Sequence, residues 1–210
     1  MLTVKRTANA GVLLEMDGVR ILLDGVCREV VPYPVTPEHI RAELMENFPD
    51  VVAVSHHHPD HYDPSFVAEY ENNTDIKAVG PTSVGSAVQY GKIHILPVAS
   101  RHIGKFDCPH TSFIIQGSCC VWFMGDASPN QWRNRTDLPK PDVIIAPFAY
   151  ATTASAWKTT EALGAKAVVL VHLPKRENDV AGLYDAIAQT IGERDNVFIP
   201  EMEEFIKINI

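Results

Sequence analysis

The sequence predicts an α/β (α+β) fold of two mixed β-sheets packed face to face with helices outside them, and three observations carry that prediction. The chain opens with three short apolar strands in succession, its middle alternates strands with helices, and its last third repeats the strand-helix theme. No internal repeat and no linker rich in glycine or serine interrupts it, so a single domain over 1–210 is expected.

Each element has a local reason. LTVKR, GVLLEM and VRILLD read as consecutive antiparallel strands, the last two joined at Asp17-Gly18, a pair suited to tight hairpin turns. Thr36 and Pro37 read as the N-cap and first residue of a helix that puts Ile40, Leu44 and Phe48 on one face and ends before Pro49. VVAVS is the next strand, and Asp63-Pro64 opens a second helix through Phe66, Val67 and Tyr70. IKAVG, KIHILPV, TSFIIQG and CCVWFMGD read as further strands, with a short helix after Thr82 and a charged loop over 131–140. Strand DVIIAPF, a helix over about 152–163, strand AKAVVLVH, a helix over about 178–191 and strand NVFIP complete the pattern.

Composition bounds the function. Hydrophobic residues make up 46% and charged residues 21%, an ordinary globular balance. A net charge of -8 disfavours broad electrostatic attachment to nucleic acid or anionic lipid. The opening MLTVKRTANAGVLLEMDG lacks a signal-peptide pattern, and no apolar run approaches the roughly 18 residues of a membrane span, so a cytoplasmic protein without membrane attachment is expected. A homo-oligomer is compatible with this composition, although no stretch marks an interface. Cys27, Cys108, Cys119 and Cys120 have neither zinc-thiolate nor disulfide-framework spacing and read as reduced thiols.

The chemistry concentrates in VSHHHPDHYD, which begins at Val54. In an extended segment His56 and His58 project to the same side and can reach one ion, while His57 points the other way and reads as a supporting residue. Pro59 bends the chain, re-aiming Asp60 and His61 toward a second position close by, and a carboxylate beside an imidazole suits a borderline divalent cation. One loop supplies too few ligands. His102, Asp126 and His172 each follow an apolar strand directly, where a rigid scaffold presents functional groups.

His56-x-His58-x-Asp60-His61, followed by His102, Gly125-Asp126 and His172, resembles the signature of the metallo-β-lactamase superfamily, and the early GVLLEMDGVRILLDG hairpin extends the likeness over nearly the full length. The resemblance implies a four-layer αββα sandwich with a binuclear site at one edge of the two sheets. It assigns His56, His58 and His102 to the first metal, and Asp60, His61 and His172 to the second, with Asp126 bridging. VASRHIG resembles the stretch before the third ligand in the L-ascorbate-6-phosphate lactonase-like and phospholipase D-like hydrolases. In CPHTSFII, His110 resembles the H-T of glyoxalase II-like members and is a rival third ligand; His102 is favoured. Ala127-Ser128 stands where many relatives have a threonine. Asp24 resembles the family's buried aspartate and is expected to orient a ligand loop.

Two divalent metals about 3.5–4 Å apart hold a bridging water whose pKa falls to about 7. The implied activity is hydrolysis of a small-molecule ester, lactone or phosphodiester by that hydroxide, with Asp60 as a proton carrier. Zinc is the leading metal, and manganese, iron or nickel also suit the ligands. A nuclease, or a non-catalytic metal-binding or sensing protein, are the alternatives, the first disfavoured by the acidic charge. His39 and His94 read as ordinary surface or strand histidines. Trp132, Arg133, Arg135 and Tyr150 read as solvated loop residues at the same sheet end.

Overall fold

The computed structural model describes residues 1–210 apart from 105, 106 and 134, so Asn134 of the charged loop lies outside the described residues. The opening meander forms as expected. Strands β1 (Leu2–Arg6), β2 (Val12–Met16) and β3 (Val19–Leu23) pair antiparallel. Asp17 and Gly18 between β2 and β3 both have positive φ, the geometry a two-residue hairpin turn requires.

Helix α1 (Glu38–Glu46) leads into β4 (Val51–Ala53), which lies parallel to β3. Its start corrects the expectation: Pro37 is the N-cap, and the Thr36 hydroxyl accepts from the Cys27 amide instead of capping the helix. Helix α2 (Pro64–Thr74) follows, with the Asp63 carboxylate accepting from the amides of Ser65 and Phe66. IKAVG contributes only an isolated bridge from Val79 to Ala53, and the turn near Thr82 is a 3-10 helix at Pro81–Ser83.

The second sheet is built from β5 (Val88–Tyr90), β6 (Ile93–Ser100), β7 (His110–Gln116), β8 (Cys120–Phe123), β9 (Val143–Pro147), β10 (Ala167–Val171) and β11 (Val197–Phe198). These seven run in order β11-β10-β9-β8-β7-β6-β5, antiparallel from β5 to β8 and parallel from β8 onward. Helix α3 (Ala154–Ala162) is capped by the Thr153 side chain. Helix α4 (Leu183–Ile191) starts five residues later than expected, because the Asp179 carboxylate accepts from the amides of Leu183 and Tyr184 after a 3-10 turn at Arg176–Asn178. Strand β12 (Phe205–Ile208) returns to pair with β1, giving the first sheet the order β12-β1-β2-β3-β4.

Three apolar layers make this the expected four-layer arrangement. Val4, Leu14, Ile21, Phe113, Val121 and Ile145 belong to the core between the sheets. Leu22, Ile40, Leu44, Phe66 and Tyr70 join the first sheet to α1 and α2, and Trp122, Trp157, Leu170 and Ile187 join the second to α3 and α4. Each fully buried aliphatic side chain of this kind contributes about 1.5–3 kcal/mol relative to exposure. Trp132 and Tyr150 correct the loop reading: they are 0% and 1% exposed, and the Trp132 indole donates to the Tyr150 hydroxyl at 2.8 Å. Among the described residues no helix is long and apolar enough to cross a membrane.

Candidate metal centre

The loops that leave β3, β4, β8 and β10, with the end of β6, converge at one edge of the sandwich and carry the residues singled out in the sequence. His56, His58 and His102 bring one ring nitrogen each within 4.8 Å of one another, and Asp60, His61 and His172 do the same with a carboxylate oxygen and two nitrogens. Asp126 stands between the sets: its Oδ2 is 3.4 Å from His61 Nε2, 3.5 Å from His102 Nε2 and 3.4 Å from His172 Nε2. His57 faces away and stacks on Tyr62.

A layer of hydrogen bonds behind these groups fixes which nitrogen His56, His61 and His102 present. Asp24 accepts from the Ser55 amide and hydroxyl, both at 2.6 Å, and from His61 Nδ1 at 2.8 Å. Because the Ser55 hydroxyl donates to Asp24, it accepts from His56 Nδ1 at 2.9 Å. One buried carboxylate therefore turns the Nε2 lone pairs of His56 and His61 toward the centre. Asp24 and these histidines also lie within ligating distance of each other, but the oxygens of Asp24 are spent on this support. His102 donates through Nδ1 to the Ile103 carbonyl at 2.6 Å, leaving Nε2 3.3 Å from His56 Nε2.

His110 is oriented differently. Its Nε2 accepts from the Asp126 amide at 2.9 Å, which places the ring proton on Nδ1, 2.7 Å from the Ser100 hydroxyl. Both ring nitrogens are taken up by these hydrogen bonds. Burial pushes this imidazole down to about 3, so it stays neutral and able to accept. Close packing here demands Gly125: its φ is +54°, and a Cβ would lie 2.6 Å from Ser55 Cβ and 2.9 Å from His110 Nε2.

The electrostatics are those of a crowded donor set. Burial pushes His56 down strongly, reinforced by His61, and pushes His58 down together with His102. For His61 and His172 burial also lowers basicity, but the Asp126 carboxylate outweighs it; His61 lies well above the usual histidine range and His172 is raised to about 9. Burial opposes ionisation of Asp126 and Asp60, and the adjacent imidazoles overcome it in both. His61 Nε2, His172 Nε2 and Asp126 Oδ1 are buried without a hydrogen-bond partner, the carboxylates approaching the nitrogens off the hydrogen-bonding direction. Buried nitrogen and oxygen atoms converging in this way, the imidazoles ready to give up their protons to a metal, fit the hard-to-borderline donor set of a divalent ion.

Four supporting residues escape the sequence reading. Asn9 donates to Asp60 Oδ2 at 3.2 Å, and its carbonyl accepts from the amide of His172, whose φ is +61°. Arg6, 2% exposed, holds the carbonyls of Ala8, Asn9, Leu173 and Pro200. Tyr33 sets its ring edge-on to His172 at 4.5 Å. Ser55 was legible only as the residue before the triplet. His39 and His94 are exposed surface residues, His39 pairing with Glu203 at 2.9 Å, and Cys27 is buried beneath the 28–37 loop.

A family profile described as a Beta-lactamase superfamily domain matches residues 3–172. No curated protein matches the sequence. Among solved structures, the chain is similar to Igni18, a metallo hydrolase from the archaeon Ignicoccus hospitalis, at 17% identity and TM-score 0.68, covering 100% of this chain and 99% of that one. It is also similar to an isothiocyanate hydrolase from Delia radicum gut bacteria, at 12% identity and TM-score 0.68 over 98% and 99% of the two chains. YhfI from Bacillus subtilis, a metallo-beta-lactamase fold protein, aligns at 14% identity and TM-score 0.63 over 99% and 100%. At these identities the likeness is one of fold.

Proposed function

The chain belongs to the β-lactamase superfamily and has the metallo-β-lactamase fold, and from that premise we propose a metal-dependent hydrolase that holds two divalent ions, zinc foremost, and cleaves a small ester, lactone or phosphodiester. The position of Asp126 Oδ2 between His102 on one side and His61 and His172 on the other carries this reading. His56, His58 and His102 would hold one ion, Asp60, His61 and His172 the other, and Asp126 would be shared. When bound, such a pair supplies a water whose pKa falls to about 7 and Lewis acidity at the leaving oxygen.

The chain's own residues set up that chemistry. Asp24 and Ser55 fix two imidazoles as Nε2 donors, and Ile103 fixes a third. Asn9 holds Asp60 by Oδ2, so the carboxylate is positioned to take up a proton beside the centre and return it to the leaving group. Tyr33 packs edge-on against the His172 ring. The stretch VASRHIG aligns this proposal with the L-ascorbate-6-phosphate lactonase-like and phospholipase D-like hydrolases.

The test is metal analysis of purified protein together with an activity screen over lactones, thioesters, aryl esters and phosphodiesters. Two bound ions and metal-dependent cleavage of one class are expected. Two bound ions with no cleavage of any class would return the protein to a binding or sensing role.

A further inference from the structure

A cavity of about 750 Å³ lies beside the cluster, between the 28–37 loop, the turn after β10 and Met202-Glu203. None of the clustered histidines or aspartates lines it, but Tyr33 does, and the same ring packs against His172 at 4.5 Å. Tyr33 is thus the wall shared by the cavity and the centre, and Lys175, also in the lining, lies three residues after His172.

The lining carries exposed apolar side chains. Val31, Val35 and Val180 are 82%, 42% and 94% exposed, so three of the eight large hydrophobic side chains left exposed among the described residues gather at this cavity. Isolated exposed valines need no explanation; three around one concave site of ligand-binding size beside a candidate reactive centre do. Pro32, Pro34, Pro37 and Met202 extend the same surface. The charged groups in the lining are Glu29, Glu177 and Glu203 against Lys175, three carboxylates to one ammonium. That balance repels an anionic substrate and leaves a neutral one unhindered.

We propose that this cavity receives an uncharged acyl or aryl portion of the substrate, which makes the natural substrate a neutral ester or lactone with an apolar side group and not a phosphodiester. The assignment rests on the hydrolase reading above. Cleavage adds water across the acyl–oxygen bond: the oxygen of water joins the acyl carbon, the leaving oxygen takes a proton, and no oxidant or reductant is needed. The apolar group is held on the valine side of Tyr33 while the scissile bond lies on the His172 side.

The experiment compares p-nitrophenyl acetate, butyrate, hexanoate and octanoate with bis(p-nitrophenyl) phosphate on zinc-loaded protein, for the wild type, Val31→Asp and Val180→Asp. Binding of the neutral fluorophore N-phenyl-1-naphthylamine is measured in parallel. Each methylene that becomes buried should raise kcat/KM by about fourfold. Both variants should flatten that rise and weaken fluorophore binding by at least tenfold. A flat chain-length profile, faster cleavage of the phosphodiester, or fluorophore binding indifferent to both substitutions would overturn the cavity assignment and leave the hydrolase reading standing. No cleavage of any ester or phosphodiester, with fluorophore binding still sensitive to the variants, would sink the hydrolase reading and the substrate assignment with it.

Discussion

The backbone amide of Asp126 donates to Nε2 of His110 at 2.9 Å, so the histidine that competes with His102 for a ligand role is occupied in holding the shared aspartate. Replacing His110 with alanine leaves that amide without its partner and takes one of two partners from the Ser100 hydroxyl. The expected result is a loss of about 1–3 kcal/mol, or roughly 2–12 °C in Tm for a chain of this size, with metal largely retained. His102→Ala should do the opposite, removing at least one ion while the metal-free Tm changes little. Metal content by mass spectrometry beside thermal melts separates the two, and the reverse ordering would give His110 the ligand role.

Asp24 reaches two imidazoles, one directly and one through Ser55. Asp24→Ala leaves the Ser55 amide and His61 Nδ1 buried and unpaired, and is expected to weaken metal binding by about 10–100-fold. Asp24→Asn, which keeps an acceptor, should fall between. Competition titration with a chelator of known affinity measures this, and an alanine variant with wild-type affinity would mean that the imidazoles orient themselves.

The metal-free centre should titrate with a definite sign. His172 is raised to about 9, burial opposing and Asp126 and Asp60 prevailing, against an ordinary value of 6.5. Its contribution to metal-free stability is therefore full below pH 6.5 and is lost as pH rises through about 9. Asp126, depressed, contributes above the usual carboxylate range and loses its contribution as pH falls below it. The Tm of chelator-treated protein should decline from about pH 6.5 toward pH 9 as His172 loses its proton, and should also fall below about pH 6.5, where the depressed His56, His58 and His110 favour the unfolded chain. Metal uptake near pH 7 should release protons, seen as a buffer-dependent heat in calorimetry. A Tm that climbs steadily from pH 6 to 9 would contradict the pairing.

Arg6 binds four backbone carbonyls from three separate segments, two of which flank Asn9 and His172. Arg6→Ala strands those carbonyls in a buried site and should cost about 3–5 kcal/mol by urea denaturation, with Arg6→Lys recovering part. A loss under 1 kcal/mol would show that water replaces the guanidinium freely.

What could be read from the sequence was local. The period of two in His56 and His58, the proline bend before Asp60, the hairpin at Asp17-Gly18 and the Asp63 cap all depend on neighbours within a few residues, and all appear in the structure. The rest depends on distant partners. Thr36 gave its hydroxyl to Cys27 across a loop, Trp132 and Tyr150 found each other in the core beneath α3, and β12 found β1 from the opposite end of the chain. Arg6 ends the strand LTVKR, and nothing nearby in sequence tells that residues 173 and 200 will close over it.

The most direct measurement is anomalous diffraction at the metal edge from crystals of zinc-loaded protein. Two peaks about 3.5–4 Å apart are predicted, one within bonding distance of His56, His58 and His102, the other of Asp60, His61 and His172, with Asp126 touching both. A single peak, or a peak ligated by His110 in place of His102, would contradict it.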